Sequence, residues 1–102
     1  MYELDVAQRA RDDLQGIYEY IASKLEAPKA ALDFLDAVDA CYVRIQENPY
    51  LYEQCRELRL QSEGYHRVVI GNYILVYRPL EETKVVEVHR CFYGPQNYME
   101  LI

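Results

Sequence analysis

Two apolar stripes at helical spacing, joined by a short break that contains a proline, limit most strongly what this chain can fold into. One stripe runs through residues 10–25 and the other through residues 31–45, with polar residues on the remaining faces. Pro28 suits the first turn of the second helix, and Asn48 with Pro49 ends it. Because the link is short, we expect the helices to pack as an antiparallel hairpin. The stripe residues are Ala10, Leu14, Ile17, Tyr18, Ile21, Leu25, Ala31, Phe34, Leu35, Val38, Cys41, Tyr42 and Ile45.

Segments rich in apolar, aromatic and β-branched residues flank this hairpin and predict a sheet, and in the first of them, residues 2–6, apolar and polar residues alternate. Gly71 and Asn72 form a two-residue turn signal between two such segments, which is typical of a β-hairpin. Residues 79–83 provide a second turn before the final segment. The predicted strands are residues 2–6, 65–70, 73–77 and 84–93.

The remaining stretches give weaker signals. Residues 50–64 predict a loop with a short strand or turn near Leu58 and Leu60, and a short C-terminal helical turn is expected to end at Ile102. The sequence therefore predicts an α+β fold in a single domain over residues 1–102. In that fold an N-terminal strand precedes an antiparallel helical hairpin packed on a mostly antiparallel four-stranded sheet.

The net charge of -6 is concentrated in one half of the chain. Residues 1–55 hold five Lys or Arg and 11 Asp or Glu, whereas residues 56–102 hold six of each. Since phosphate binding depends on clustered cations, this balance argues against a general nucleic-acid binder. Any surface that faces anions is expected to be local and to lie in the second half.

Cysteine content and hydropathy narrow the class further. The three cysteines are odd in number and lack metal-ligand spacing, so neither a disulfide framework nor a zinc site is expected. No apolar run approaches the roughly 18 residues that span a membrane. We therefore expect a cytoplasmic protein with no cofactor and no membrane partner. Its 11 tyrosines, in the absence of tryptophan, suit half-buried positions and interfaces.

Four segments carry a family resemblance: ARDDLQGIYEYIASKL, APKAALDFLDAV, YHRVVIGNYILVY and VHRCFYGPQNYMELI. In this order they resemble the two helices, the central hairpin and the closing strand of the RelE/ParE superfamily, the toxins of bacterial type II toxin–antitoxin systems. The resemblance implies a growth-inhibiting toxin of the plasmid-stabilization kind that a cognate antitoxin neutralises. One branch of the superfamily cleaves mRNA on the ribosome, and the other poisons DNA gyrase.

The resemblance also implies candidate site residues if the chain is a nuclease. RNA cleavage without a metal needs a base, an acid and cations that stabilise the transition state. In the nuclease branch, cations on the central strands and a histidine or tyrosine near the C-terminus supply them. The candidates are Arg67, Arg90 and Tyr93, with His66 and Tyr98 as secondary ones. His89 adjoins Arg90 and is expected to point to the opposite face of the sheet.

Two departures from the nuclease pattern favour inhibition of gyrase. Ile74 stands where nuclease relatives have an arginine after the tyrosine, and Pro95 with Gln96 replaces a basic-acidic pair of the tail. The alternatives are a metal-independent, ribosome-dependent mRNA endoribonuclease, and a degenerate module that binds the antitoxin without being toxic. The carboxylates of the first helix are expected to form a solvated face; they are Asp12, Asp13 and Glu19.

Overall fold

A four-stranded sheet with a helical hairpin on one face forms the framework of the protein in a computed structural model, which describes residues 1–95. The strand order is β1-β4-β3-β2; β1 pairs with β4 in parallel, and the other pairs are antiparallel. The predicted fold class is confirmed. The elements are β1 (Glu3–Val6), α1 (Gln8–Glu19), α2 (Pro28–Glu47), α3 (Leu58–Ser62), β2 (His66–Ile70), β3 (Tyr73–Leu80) and β4 (Val85–Tyr93).

The helical hairpin forms as its apolar periodicity predicts. Helix α1 continues into a wider π-helical turn at Tyr20–Lys24, and α2 begins at Pro28, where a missing N–H costs nothing. Five residues of α2 point into the core and are nearly or fully inaccessible to solvent, which stabilises the fold by about 1.5–3 kcal/mol for each large side chain. They are Ala31, Phe34, Val38, Cys41 and Ile45.

The sheet carries a separate apolar cluster on each face. The larger one lies under the helices and includes Leu75 and Tyr77 of β3. The smaller one includes Ile74 and Val76, which alternate with them, together with Leu60 of α3. This alternation is the period of two that a strand imposes on its side chains. The small cluster explains why β3 is apolar on both faces.

The weak stretch between α2 and β2 differs from its prediction. A short helix, α3, occupies the position where a strand or turn was expected near Leu58 and Leu60, so that prediction was wrong. The helix forms because the Glu57 carboxylate accepts hydrogen bonds from the main-chain N–H groups of Arg59 (3.1 Å) and Leu60 (2.8 Å). Leu60 then inserts into the small cluster.

Strand β4 contains a bulge beside Arg90, one of the candidate site residues. Val88 lies opposite Tyr77 and Arg90 lies opposite Val76, so His89 is an extra residue in the ladder. The bulge interrupts the alternation of side chains along β4. The expectation that His89 and Arg90 point to opposite faces relied on that alternation, so it does not hold automatically at this point. The predicted C-terminal turn ending at Ile102 lies outside the described residues. Within residues 1–95, no helix has the length and apolar character needed to cross a membrane.

Candidate functional site

An acidic side chain of α1 completes the edge of β4 where β1 ends. The pairing of β1 with β4 stops at Val88, whose carbonyl accepts a hydrogen bond from the N–H of Ala7 (2.9 Å). Beyond that point Asp13 Oδ2 accepts hydrogen bonds from the main-chain N–H of Cys91 (3.0 Å) and from Arg90 Nε (2.7 Å). Asp13 Oδ1 accepts a third from an Arg90 terminal nitrogen at 3.0 Å. The result is a two-pronged ion pair that attaches α1 to the sheet.

This ion pair is largely shielded from water. The side chains of Arg90 and Asp13 are 10% and 18% exposed. The hydrogen bond with Asp13 raises the pKa of Arg90 above its ordinary value, although burial acts in the opposite direction. The prediction that Asp13 belongs to a solvated face was wrong. Asp12 and Glu19, in contrast, are exposed as expected.

An open cleft of about 760 Å³ lies beside the ion pair, between α1 and the ends of β3 and β4. Tyr20, Leu25 and Tyr93 line it and are each about half exposed. The Tyr73 ring forms an edge-to-face contact with Tyr93 at 5.8 Å and another with the buried Phe34 at 5.2 Å. These contacts connect one aromatic wall of the cleft to the main core.

Arg67 lies apart from this cleft and has its own carboxylate. Its guanidinium donates to Glu53 Oε1 at 2.6 Å, and its side chain is 13% exposed. That hydrogen bond is the main cause that lowers the pKa of Glu53. Arg67 and Arg90 lie opposite the same residue of β3, Val76, so two strand spacings, or about 10 Å, separate their Cα atoms. Their side chains nevertheless bind different carboxylates.

His66, a secondary candidate from the sequence, is buried within the fold. Its side chain is 5% exposed and stacks on the Tyr77 ring at 5.5 Å. Its Nδ1 lies 2.9 Å from the carbonyl oxygen of Tyr52, and since a carbonyl only accepts, Nδ1 carries the proton. Being adjacent to Arg67 on β2, His66 points toward the helical face instead of the side on which Arg67 lies.

The remaining ionisable candidates lie elsewhere. His89 packs against the ring of Tyr65 at 5.0 Å, and burial lowers its pKa. Within the described part of the chain, no three His, Cys, Asp or Glu side chains are grouped as metal ligands would be. Burial raises the pKa of the thiols of Cys41 and Cys55 to about 11 and that of Cys91 to about 12, so all three are protonated near neutral pH.

Comparison with known proteins identifies the family. Residues 4–98 match the family described as ParE toxin of type II toxin–antitoxin system, parDE. The chain belongs to this ParE toxin family. The RelE/ParE resemblance predicted from the sequence is thereby confirmed. No curated protein sequence gives a significant match.

Solved structures share the fold of this ParE-family protein. The chromosomal ParDE system of P. aeruginosa matches with a TM-score of 0.72 and 18% identity, over 91% of this chain and 96% of that one. The RelBE2 toxin–antitoxin complex of Mycobacterium tuberculosis matches with a TM-score of 0.63 and 19% identity, over 90% and 96%. The isolated E. coli RelE toxin matches with a TM-score of 0.60 and 17% identity, over 99% and 93%.

In this ParE-family protein, two of the predicted site residues that lie within residues 1–95 line one cleft. Arg90 and Tyr93 line the same cleft, whereas Arg67 and His66 lie outside it. Tyr98 lies beyond the described residues. Sequence reasoning missed Asp13, although one signal pointed to it. Asp13 follows Ala10 by three positions and precedes Leu14, so it lies within the apolar stripe of α1 and not opposite it.

Proposed function

We propose that this single-domain, cytoplasmic protein is the toxin of a type II toxin–antitoxin pair, and that it stops growth by binding DNA gyrase. The observation that carries the proposal is the ion pair of Arg90 with Asp13. A cation that stabilises a phosphate in a transition state must be free to point at the phosphate oxygens. Arg90 would first have to leave a shielded carboxylate, and breaking such a pair costs several kcal/mol.

The second arginine supports the same choice. Arg67 is bound to Glu53. Strand β3 lies between Arg67 and Arg90, because both arginines are opposite Val76. His66 donates its Nδ1 proton to a main-chain carbonyl on the helical side. These arrangements favour inhibition by binding over cleavage of mRNA.

The cleft beside α1 is the proposed contact surface. Its exposed Tyr20 and Tyr93 are of the kind that anchors protein interfaces, since tyrosine is one of the residues that supply most of the binding energy there. Leu25 adds exposed apolar area to the same surface. A cognate antitoxin is the proposed second partner. This follows from the family and from the ParDE and RelBE2 relatives, which are toxin–antitoxin systems by their descriptions.

The deciding experiment gives the purified protein two targets in parallel. One reaction contains gyrase, relaxed plasmid and ATP, and it is scored for supercoiling and for trapped double-strand breaks. The other is a translating extract whose mRNA is mapped by primer extension. We expect inhibition of gyrase with intact mRNA. In-frame mRNA cleavage would overturn the proposal in favour of a ribonuclease. Folded protein that is inactive in both assays would favour a non-toxic module that binds only the antitoxin.

A matched pair of variants tests the contact surface. Leu25 in the cleft and Leu32 on α2 are exposed to almost the same extent, 55% and 54%. Leu25→Ala is expected to raise the concentration for half-inhibition of gyrase about fivefold or more, which corresponds to about 1 kcal/mol of lost contact. Leu32→Ala is expected to leave it unchanged. Equal effects of the two substitutions would exclude the cleft as the contact surface.

A further inference from the structure

We propose that the outer edge of β2 at Arg67–Val69, here named the β2 edge, binds an extended peptide segment with an acidic side chain as a fifth strand. The proposal deepens the proposed function and rests on it in one respect: the segment is assigned to the antitoxin. Strand addition uses main-chain hydrogen bonds for affinity and side-chain pockets for specificity. The structure supplies both at this edge.

The direction of the main-chain groups follows from one hydrogen bond. The N–H of Arg67 points away from β3, because it donates to the carbonyl of Glu53 at 3.0 Å. In an antiparallel ladder, alternate residues direct their N–H and C=O groups to the same side, so those of Val69 point outward as well. The segment at Gln54 covers this edge only as far as Arg67, through a single bridge to His66. Within residues 1–95, no main-chain hydrogen bond from outside the β2–β3 pair reaches Val69.

The side chain of Val69 is suited to a partner strand. It is 61% exposed, although its neighbours Val68 and Ile70 are buried in the main core. Edge strands are normally protected against unwanted pairing by charged residues. The opposite edge of this sheet follows that rule, because β1 exposes Glu3 and Asp5. The β2 edge instead exposes a β-branched apolar residue, which favours strand addition.

The charges beside the β2 edge select an acidic partner. A cavity of about 410 Å³ adjoins Val69 and is lined by two arginines, Arg56 and Arg67, and by one glutamate, Glu53. The net charge there is positive, in a chain whose overall charge is -6. Glu53 Oε1 forms an ion pair with each guanidinium, at 3.3 Å from Arg56 and at 2.6 Å from Arg67. Arg67 Nε is buried and has no hydrogen-bond partner among the described residues. A carboxylate from the added strand would complete this cluster.

The test uses a synthetic peptide of alternating valine and glutamate, so it needs neither antitoxin nor gyrase. Amide exchange and chemical shifts are followed by NMR on the full chain. We expect fast exchange of the Val69 N–H in the free protein and about tenfold slower exchange with the peptide bound. Shift changes are expected at Arg67 and Val69. A peptide with lysine in place of glutamate is expected to bind several-fold more weakly, as is one N-methylated along its hydrogen-bonding edge.

Protein variants provide the matched control. Val69→Pro removes the outward N–H, and proline is tolerated on a sheet edge where that N–H faces solvent. Val69→Thr keeps the N–H and the β-branched shape. We expect peptide binding to be lost with proline and retained with threonine. Because threonine and the modified peptides need no perturbed backbone, the proposal stays testable even if the proline variant unfolds.

Three results would overturn the proposal. They are an unchanged exchange rate of Val69 with peptide, equal binding of the glutamate and lysine peptides, and a concentration-dependent dimer of the free protein that Val69→Pro abolishes. The last would assign the β2 edge to a second copy of this chain. None of these readouts depends on toxicity, so failure here leaves the gyrase proposal intact, and failure of that proposal leaves this one intact.

Discussion

Asp13 and Arg90 are 77 positions apart in the sequence, yet the Asp13 carboxylate accepts hydrogen bonds from two nitrogens of the Arg90 guanidinium. It also accepts a hydrogen bond from the main-chain N–H of Cys91. Asp13 therefore does for the end of β4 what β1 does for its beginning. It occupies the hydrogen-bonding edge of the strand, and it also holds the wall of the cleft in place. Stability and cleft shape should depend on the same side chain.

The first prediction concerns this pair. Asp13→Ala leaves the Cys91 N–H and the Arg90 guanidinium without their carboxylate in a shielded position, so we expect it to lower the free energy of unfolding by about 3 kcal/mol. Asp12→Ala is the matched control, because the Asp12 carboxylate is adjacent in the sequence but exposed. This substitution should lower the free energy of unfolding by about 0.5 kcal/mol or less. Urea denaturation of both variants measures the difference. Equal costs would show that the pair contributes nothing to stability.

The second prediction separates structure from catalysis at His66. His66→Phe keeps the stacking on Tyr77 but removes the proton donated to the Tyr52 carbonyl, which should cost about 1–2 kcal/mol. Inhibition of gyrase per folded molecule should be unchanged. His89→Phe, at a half-buried position without such a bond to the main chain among the described residues, should cost less. A folded His66→Phe protein that has lost its activity would contradict the structural assignment.

The third prediction is a pH dependence that originates at Glu81. Hydrogen bonds from Lys84, Tyr2 and Tyr50 lower the pKa of Glu81 from its ordinary value of 4.5 to about 2. Because the folded-state pKa is lowered, this contribution to stability is complete above about pH 4.5 and is lost as the pH falls toward 2. Glu81→Gln should therefore flatten the acid limb of the stability curve. Glu82→Gln, at the exposed neighbouring position, should leave it steep.

Urea midpoints measured between pH 2 and pH 7 provide the check. Parallel acid limbs for wild type and Glu81→Gln would mean that the hydrogen bonds of Glu81 do not persist in solution.

The fourth prediction concerns the cysteines. With thiol pKa values raised to about 11 for Cys41 and Cys55 and about 12 for Cys91, at most roughly one molecule in a thousand carries a given thiolate at pH 8. Burial blocks access as well. A thiol reagent such as DTNB should thus react negligibly with the native protein and should label all three cysteines after unfolding in urea. Rapid labelling of the native protein would reveal local opening around the reactive residue.

Local sequence patterns were sufficient to predict the long helices and the strands, but they were insufficient to predict contacts between residues distant in the sequence. The apolar periodicity of α2 and the alternation in β1 reflect contacts that every turn or every second residue repeats, so they are visible in one sequence. Helix α3 was missed because its five residues are too few to show a period. It depends on the Glu57 cap and on the insertion of Leu60 into a cluster that only the folded sheet creates.

The candidate site was less predictable for the same reason. Arg90 and Tyr93, two residues named from the motif resemblance, line one cleft, but the position of Asp13 in the apolar stripe of α1 does not identify Arg90 as its partner. His89 and Arg90 are adjacent polar residues that interrupt the alternation of β4, but this pattern alone does not identify a bulge. Charge neutralisation of an arginine is a tertiary property, and it decides whether that arginine is available to a substrate.

The position of β4 in the sheet has a consequence for biosynthesis. This strand is the last described element in the chain, yet it lies between β1 and β3 and pairs Glu3 with Val85 across about 80 residues. Until it has left the ribosome, β1 has no neighbour to pair with, and the helical hairpin covers an incomplete surface. Non-local pairing of this kind delays folding. A nascent chain therefore cannot form the cleft before nearly all of β4 has been translated, so no partner can bind there during most of the synthesis of the protein.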